Sequence, residues 1–187
     1  MRMIFWAATL AFAVDQISKY VVIHAMELAR IRSIDVLPPL INFRYGENRG
    51  INFGLFGDGG EASRWFLIVL ALGICTFVLI WARKSATRPI ARISAGLLVG
   101  GALANVLDRL IYGYVLDFLN MSCCGIDNPF VFNIADVFIF AGAFGLIFFA
   151  DSDGPRAQGR AGKKPGDKGR CPAINRCQGA GRPMEGS

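Results

Sequence analysis

Four apolar runs, each close to the roughly 20 residues that an α-helix needs to cross a bilayer, constrain this chain more than any other feature. They cover residues 3–25, 65–82, 90–112 and 130–150. Hydrophobic residues make up 53% of the 187 positions. A soluble domain typically has about 45–50% apolar residues. The runs therefore predict an all-α membrane protein with four transmembrane helices.

The basic residues predict the orientation of these helices. Four of them, with no acidic residue among them, lie around the junction of the second and third runs: Arg83, Lys84, Arg88 and Arg92. Arg2 precedes the first run, and the tail carries eight Lys/Arg against four Asp/Glu. Because cytoplasmic segments are rich in Lys and Arg, both termini are predicted to be cytoplasmic. Residues 26–64 and 113–129 then face outside.

The loops and the tail differ in composition. The stretch INFRYGENRGINFGLF in the first outer loop mixes aromatic and β-branched residues with Gly. It predicts a small β-rich element on the outer membrane surface, with a turn near residues 46–50 and a helix break at Pro38 and Pro39. Residues 1–150 are expected to form the membrane domain. Residues 151–187, rich in Gly, Lys and Pro, are expected to form a disordered basic cytoplasmic tail.

The start of the chain allows a second interpretation. A basic residue, an apolar run and the sequence Ala11-Phe12-Ala13 resemble a cleavable signal peptide. The apolar character resumes at residues 20–23, however, and cleavage would leave three spans. We therefore expect the segment to be retained as the first helix.

Composition also argues against several functions. The net charge of +6 comes with no basic stripe interleaved with aromatics, so we expect no nucleic-acid partner. His24 is the single histidine and the five cysteines lack zinc-site spacing, so we expect no metal and no cofactor. The adjacent Cys123 and Cys124 have no role that the sequence assigns.

Polar side chains interrupt three of the four runs at helical spacing. The pairs are Asp15 with Lys19, Asn105 with Arg109, and Asn133 with Asp136. In the predicted topology all of them lie in the outer half of the membrane, level with Asp117. Each ionisable group inside a bilayer costs at least a few kcal/mol, so such groups are functional hypotheses. The pattern predicts one site near the outer surface.

The residue types at this site favour acid–base chemistry by two carboxylates. Neighbouring carboxylates share one proton, because like charges at close range cannot both ionise. Such a pair can activate a water and protonate a leaving group. The chain has no HExxH and no GxSxG motif. Ser18 and Lys19 are adjacent and point about 100° apart on a helix, which argues against a Ser–Lys pair.

Four segments, in order and on the four predicted spans, resemble signal peptidase II, the bacterial lipoprotein signal peptidase. They are DQISKYVV (15–22), NRGINFGLF (48–56), GGALANVLDRLIYGYVLDF (100–118) and FNIADVFIFAG (132–142). The resemblance covers about residues 5–150. It implies an aspartyl endopeptidase of the bacterial cytoplasmic (inner) membrane, whose substrates are diacylglyceryl-modified prolipoproteins cut just before the lipidated cysteine.

The resemblance also implies roles for individual residues. Asp117 and Asp136 would be the catalytic pair. The supporting and substrate-binding residues would be Asp15, Lys19, Asn48, Gly50, Asn105, Arg109, Asn133 and Ala135. The expected partners are the prolipoprotein signal peptides and membrane lipid, and the expected state is a monomer. The chain departs from the family's usual residues at Asn52, Gly54 and Ala104.

Some roles stay open at this point. Asp15 and Lys19 either support the site or form an ion pair that only lowers the cost of their own burial. Asp108 is expected to be structural, and Arg109 has the alternative of pairing with it. Asn133 has the alternative of a helix N-cap, and Asp136 that of a charge stabilised by the helix dipole.

Two other functions compete with a peptidase. A small proton- or ion-coupled transporter would place buried polar residues across the whole membrane depth. The second run has no Asp, Glu, Asn, Lys, Arg or His, which favours a site over a path. A non-catalytic assembly subunit, held by polar contacts between helices, would tolerate replacement of the aspartates by asparagine.

Overall fold

The computed structural model describes residues 1–38, 40–50, 60–86, 88–122 and 128–149. Its helices are α1 (Arg2–Lys19), α2 (Leu28–Ile31), α3 (Gly60–Ser85), α4 (Pro89–Tyr112) and α5 (Ile134–Phe149). Helix α1 continues directly into a π-helical segment, Tyr20–Ala25. The described strands are β1 (Ser33–Leu37), β2 (Ile41–Asn48) and β3 (Val115–Asn120).

The helices follow the apolar runs, with one correction. The first run coincides with α1 and its π-helical segment, the second lies within α3, and the third coincides with α4. The fourth run predicts a helix from residue 130, but α5 begins at Ile134. Phe132 instead pairs with Leu119 of β3, and the Asn133 side chain caps the helix. Hydropathy did not predict this start, because capping and strand pairing are local polar interactions.

Among the described residues, two helices, Glu61–Lys84 and Pro89–Tyr112, are long and apolar enough to cross a membrane, and Ile134–Phe149 is apolar but shorter. Four spans therefore stay a prediction. The outward surface of the bundle is apolar. Phe66, Val69 and Phe77 of α3 are 63%, 67% and 69% exposed. Apolar surface of this extent is typical of contact with lipid.

Helix α4 is the centre of the bundle and packs against α1, α3 and α5. It begins with Pro89 and ends at Gly113, whose φ of 85° is the left-handed C-terminal cap that glycine favours. Small residues bring the backbones together. A Cβ on Gly101 would lie 2.5 Å from the carbonyl oxygen of Ala135 in α5, and one on Gly100 would overlap Ala8 of α1. Such close approach is how helices associate in lipid, where burial of apolar surface gives no drive.

The expected β-rich element exists, as an antiparallel sheet in the order β1-β2-β3. Its third strand comes from the second outer loop, which the sequence did not predict. The predicted turn near residues 46–50 is wrong in part, because Gly46 lies inside β2 and pairs with Asp117. Strand β1 ends at Leu37 and β2 begins at Ile41, and the Leu40 N–H donates to the Leu37 carbonyl at 2.8 Å. Pro39 lies outside the described residues.

One face of the sheet packs on the end of the first helix. An apolar cluster joins the sheet to the π-helical segment and α2, and its buried members are Val22, Ile23, Leu28, Leu116 and Phe118. Because side chains alternate along a strand, Asp117 points to the opposite face from Leu116 and Phe118. The tail at 151–187, Cys123, Cys124, and the departures at Asn52 and Gly54 lie outside the described residues.

Candidate active site

Asp117 is held in the middle of β3 and is only 3% exposed. Its strand neighbour is Gly46. A Cβ on Gly46 would lie 3.4 Å from the Val131 Cβ and 3.7 Å from the Asp117 Cβ. The absence of a side chain at position 46 therefore leaves Asp117 close to the segment that leads into α5.

Asp136 is fixed by the start of α5. The Asn133 Oδ1 accepts the Asp136 N–H at 3.0 Å, and the Asp136 Oδ2 accepts the Asn133 N–H at 3.4 Å. This reciprocal arrangement is a capping box, built here from Asn and Asp. A negative charge in the first turn is also favoured by the helix dipole. The alternatives that the sequence left open, a helix N-cap for Asn133 and a charge at the helix start for Asp136, therefore describe part of what these side chains do. Both side chains also make further contacts.

Asn133 also connects the two aspartates. Its Nδ2 donates to the Asp117 Oδ1 at 2.6 Å and to the Asn105 Oδ1 at 3.3 Å. Asn105 in turn donates from Nδ2 to the Asp136 Oδ1 at 2.9 Å. The result is one polar network across α4, β3 and α5, with Asp117 and Asp136 both bonded to Asn133.

The environment of Asp117 changes its acidity. Burial raises the pKa of Asp117 to about 7, and the negative charge of Asp136 acts in the same direction. Hydrogen bonds from Asn133 and Asn48 to the carboxylate lower the pKa again, but by less than burial raises it. A carboxyl group with a pKa near neutrality can exchange a proton during a reaction.

A second group of charged side chains is formed by Asp15, Lys19 and Asp108. We call this group the charge cluster. The Lys19 Nζ lies 2.7 Å from the Asp15 Oδ2 and 2.6 Å from the Asp108 Oδ2. All three side chains are at most 4% exposed. Gln16 donates from Nε2 to the Asp108 Oδ1 at 2.9 Å. Buried ionic groups require such complete pairing.

The charge cluster contacts every element that carries the aspartates. Lys19 donates to the Asn105 Oδ1 at 3.4 Å. The Ala135 N–H of α5 donates to the Asp15 Oδ1 at 2.8 Å, and the Leu116 N–H of β3 donates to the Asp108 Oδ2 at 3.3 Å. Lys19 therefore reaches Asp136 through Asn105, and Asp15 binds the backbone of Ala135, the residue before Asp136.

Arg109 and Asp108 do not form the pair that the sequence left open. Asp108 bonds to Lys19, whereas Arg109 is half-buried and donates from Nη1 to the Asn105 carbonyl at 3.2 Å. Gln16 was missed altogether. The available signal was its spacing of three residues from Lys19 inside an apolar run, which places both side chains on one helix face.

The outer-loop residues approach the site from β2. Asn48 ends that strand, and its side chain lowers the pKa of Asp117. Its Oδ1 also accepts the N–H of Gly50, whose φ is 85°, at 3.1 Å. A Cβ on Gly50 would lie 2.5 Å from the Leu67 Cδ1, so both the backbone conformation and the space favour glycine. The rest of the expected loop, residues 51–59, lies outside the described residues.

The described ranges contain no group of three or more His, Cys, Asp or Glu side chains arranged to hold a metal ion. The chemistry that the described residues themselves offer is proton transfer by two linked carboxyl groups, one buried and one half-exposed.

Comparison with known proteins gives a consistent result. The family model for signal peptidase (SPase) II matches residues 7–150. A lipoprotein signal peptidase of Alteromonas mediterranea is 39% identical over 164 residues, covering 86% of this chain and 88% of the relative. One of Methylorubrum extorquens is 37% identical over 145 residues, covering 78% and 83%. A bacterial membrane enzyme solved by the in meso method at 1.9 Å resolution superposes with a TM-score of 0.68, at 26% identity, over 79% of this chain and 92% of that one.

Proposed function

The chain belongs to the signal peptidase II family, and we propose that it removes signal peptides from prolipoproteins with Asp117 and Asp136 as its catalytic pair. The relatives are lipoprotein signal peptidases, which supports the substrate class. The aspartyl mechanism rests on the residues of this chain.

One observation carries the mechanism: Asn133 hydrogen-bonds both aspartates, at 2.6 Å to the Asp117 Oδ1 and at 3.4 Å from its N–H to the Asp136 Oδ2. Both carboxyl groups therefore belong to one hydrogen-bonded network, and in the proposed mechanism one of them carries a proton while the other is ionised. The raised pKa of Asp117, about 7, favours Asp117 as the group that keeps it. Asp136 accepts two hydrogen bonds, at 2.9 Å from the Asn105 Nδ2 and at 3.4 Å from the Asn133 N–H, and is assigned the role of the base.

The proposed reaction needs only these two groups and a water. The Asp136 carboxylate takes a proton from the water, whose oxygen bonds to the scissile carbonyl carbon. Asp117 gives its proton to the carbonyl oxygen, which forms a gem-diol. The C–N bond then breaks, the leaving nitrogen takes the proton from Asp136, and Asp117 recovers its own proton from the diol.

The location of the reaction is also a proposal. The charge cluster and the aspartates gather where α1 and α4 end and α5 begins, next to the sheet. With four spans and both termini in the cytoplasm, that end lies near the outer face of the bacterial cytoplasmic membrane. Residues 1–150 would be the peptidase domain and residues 151–187 a cytoplasmic tail. A diacylglyceryl group on the substrate cysteine would stay in lipid while the bond before it reaches Asp117, and a monomer would suffice.

The test is cleavage of a diacylglyceryl-modified prolipoprotein peptide by Asp117→Asn and Asp136→Asn variants. Each keeps the shape of the side chain but cannot exchange the proton. We expect each variant to fold and to lose at least roughly a thousandfold in turnover. Asp35→Asn, on the exposed edge of β1, is the matched control and should keep full activity. Near-normal turnover by either variant would remove that aspartate from the mechanism.

The same assay separates the competing functions. An assembly subunit would show no cleavage even in the unmodified chain. A transporter would show proton or ion flux in vesicles that depends on the aspartates. An unlipidated peptide, run in parallel, tests whether the diacylglyceryl group is required.

A further inference from the structure

The Lys19 ammonium group has three N–H donors and three acceptors. Two are the carboxylates of Asp15 and Asp108, and the third is the Asn105 Oδ1 at 3.4 Å. The Lys19 side chain is 4% exposed, so water does not compete for these positions. The carboxylates thus direct the remaining donor of Lys19 at the amide of Asn105.

That contact determines which way the Asn105 amide faces. Its oxygen accepts from Lys19 and Asn133, and its nitrogen donates to the Asp136 Oδ1 at 2.9 Å. The reversed amide would set its NH₂ group against two donors and its oxygen against a carboxylate. Lys19 therefore helps select the orientation in which Asn105 donates to Asp136.

Asp108 is the anchor of this arrangement. It is 1% exposed, and it accepts hydrogen bonds from Gln16 of α1, from Lys19, and from the Leu116 N–H, one residue before Asp117. Its position is therefore determined by α1 and β3 together. Through Lys19 it reaches Asn105, and through Leu116 it contacts the strand that carries Asp117.

Neutralising Lys19 does not require Asp108. Asp15 already forms an ion pair with Lys19 at 2.7 Å, so Asp108 adds a second buried acidic side chain to a cluster with one basic side chain. An extra buried charge is costly for stability. Asp108 also hydrogen-bonds Lys19, which contacts Asn105, and the Leu116 N–H, next to Asp117. These bonds point to a role other than charge balance.

We propose that Asp108 is a positioning residue of the peptidase: it holds Lys19 against Asn105 and so maintains the amide that donates to Asp136. This inference rests on the proposed aspartyl mechanism. It predicts that Asp108 affects the rate of the chemical step more than substrate binding, because it contacts neither the water nor the peptide bond.

The test is a double-mutant cycle in which Asp108→Asn is combined with Asn105→Ala, in the full chain in detergent or lipid, with the diacylglyceryl-modified peptide. Asp108→Asn leaves the Asp15–Lys19 ion pair but removes the charge that holds Lys19 from the other side. An amide oxygen in the place of Oδ2 can still accept from the Leu116 N–H and, as a neutral group, from Lys19, whereas the amide NH₂ faces the Gln16 donor. We expect kcat to fall roughly 10- to 100-fold with KM changed less than about twofold. In the Asn105→Ala background the same substitution should lower kcat less than about threefold, because the amide it positions is gone.

Three results would overturn the proposal: additive losses in the cycle, a rise in KM at unchanged kcat, or full activity of Asp108→Asn. Asp108→Glu, which keeps all three charges but displaces the carboxylate, is measured in the same cycle, so a folding defect in one variant does not remove the test. Asp35→Asn is again the control. If Asp117→Asn or Asp136→Asn keeps activity, the proposed mechanism fails whatever the cycle shows.

Discussion

The charge cluster and the aspartate pair each contain two aspartates and each hydrogen-bond Asn105, yet they differ in charge balance and in access to solvent. In the charge cluster every carboxylate oxygen has a protein donor and no side chain is more than 4% exposed. In the aspartate pair Asp117 is buried, but Asp136 is half-exposed and reachable. Complete pairing makes a buried charge inert, whereas partial access leaves a carboxyl group able to exchange a proton with a substrate.

Removing Lys19, the cation of the charge cluster, should have the largest effect, which is a loss of stability. Lys19→Met leaves Asp15 and Asp108 buried without a counter-charge, and breaking a buried pair in this way costs about 3–5 kcal/mol. We expect a large fall in the thermal unfolding temperature measured in detergent. Adding Asp108→Asn to Lys19→Met should recover part of the loss, because one uncompensated carboxylate is removed. A Lys19→Met variant that melts like the original protein would show that the cluster is hydrated or protonated.

A smaller effect should follow from separating α4 and α5, which carry Asn105 and Asp136. Gly101→Ala places a methyl group 2.5 Å from the Ala135 carbonyl oxygen, so the helices must move apart. Overpacking of this kind costs roughly 1–3 kcal/mol. We expect lower thermal stability and lower turnover together. Gly73→Ala is the matched control, because a Cβ there meets nothing within 4 Å, and it should leave both unchanged.

The smallest effect concerns the pH profile of the aspartate pair. Asp117 must be protonated to act as the acid, so turnover should fall as the pH rises through about 7. The hydrogen bond from Asn48 lowers the pKa of Asp117. Its removal in Asn48→Ala should raise that pKa and move the alkaline limb of log kcat against pH upward, by less than about one unit. Glu47→Gln, at the neighbouring exposed position, should leave the limb in place; a downward shift in Asn48→Ala would contradict this account.

The sequence predicts much of the fold because a bilayer imposes strong length and hydropathy constraints. Runs 3–25, 65–82 and 90–112 each correspond to a helix, and the segment between the first two runs carries β1 and β2. Hydropathy did not predict the start of α5 at Ile134, the end of β1 at Leu37, or the pairing of β3 with β2. The first two depend on short-range hydrogen bonds made by Asn133 and Leu40, and the third depends on hydrogen bonds between segments far apart in the chain.

The candidate site also has features that the sequence predicts and features that it does not. Polar side chains inside apolar runs are costly, so Asp15, Lys19, Asn105 and Asp136 stand out in the sequence alone. Their spacing could indicate which share a helix face, but not which helices meet. Asp108 was therefore expected to be only structural, and Gln16 was missed.

By itself, the amino-acid sequence determined where the apolar helices lie and which polar residues had to find partners, since both follow from the cost of placing charge in hydrocarbon. Only the tertiary structure decided the partners. It joined Lys19 to Asp108 across α1 and α4 and Asn133 to Asp117 across α5 and β3. A hydrogen bond requires two groups within about 3 Å, and only the packing of the helices and the sheet supplies that proximity.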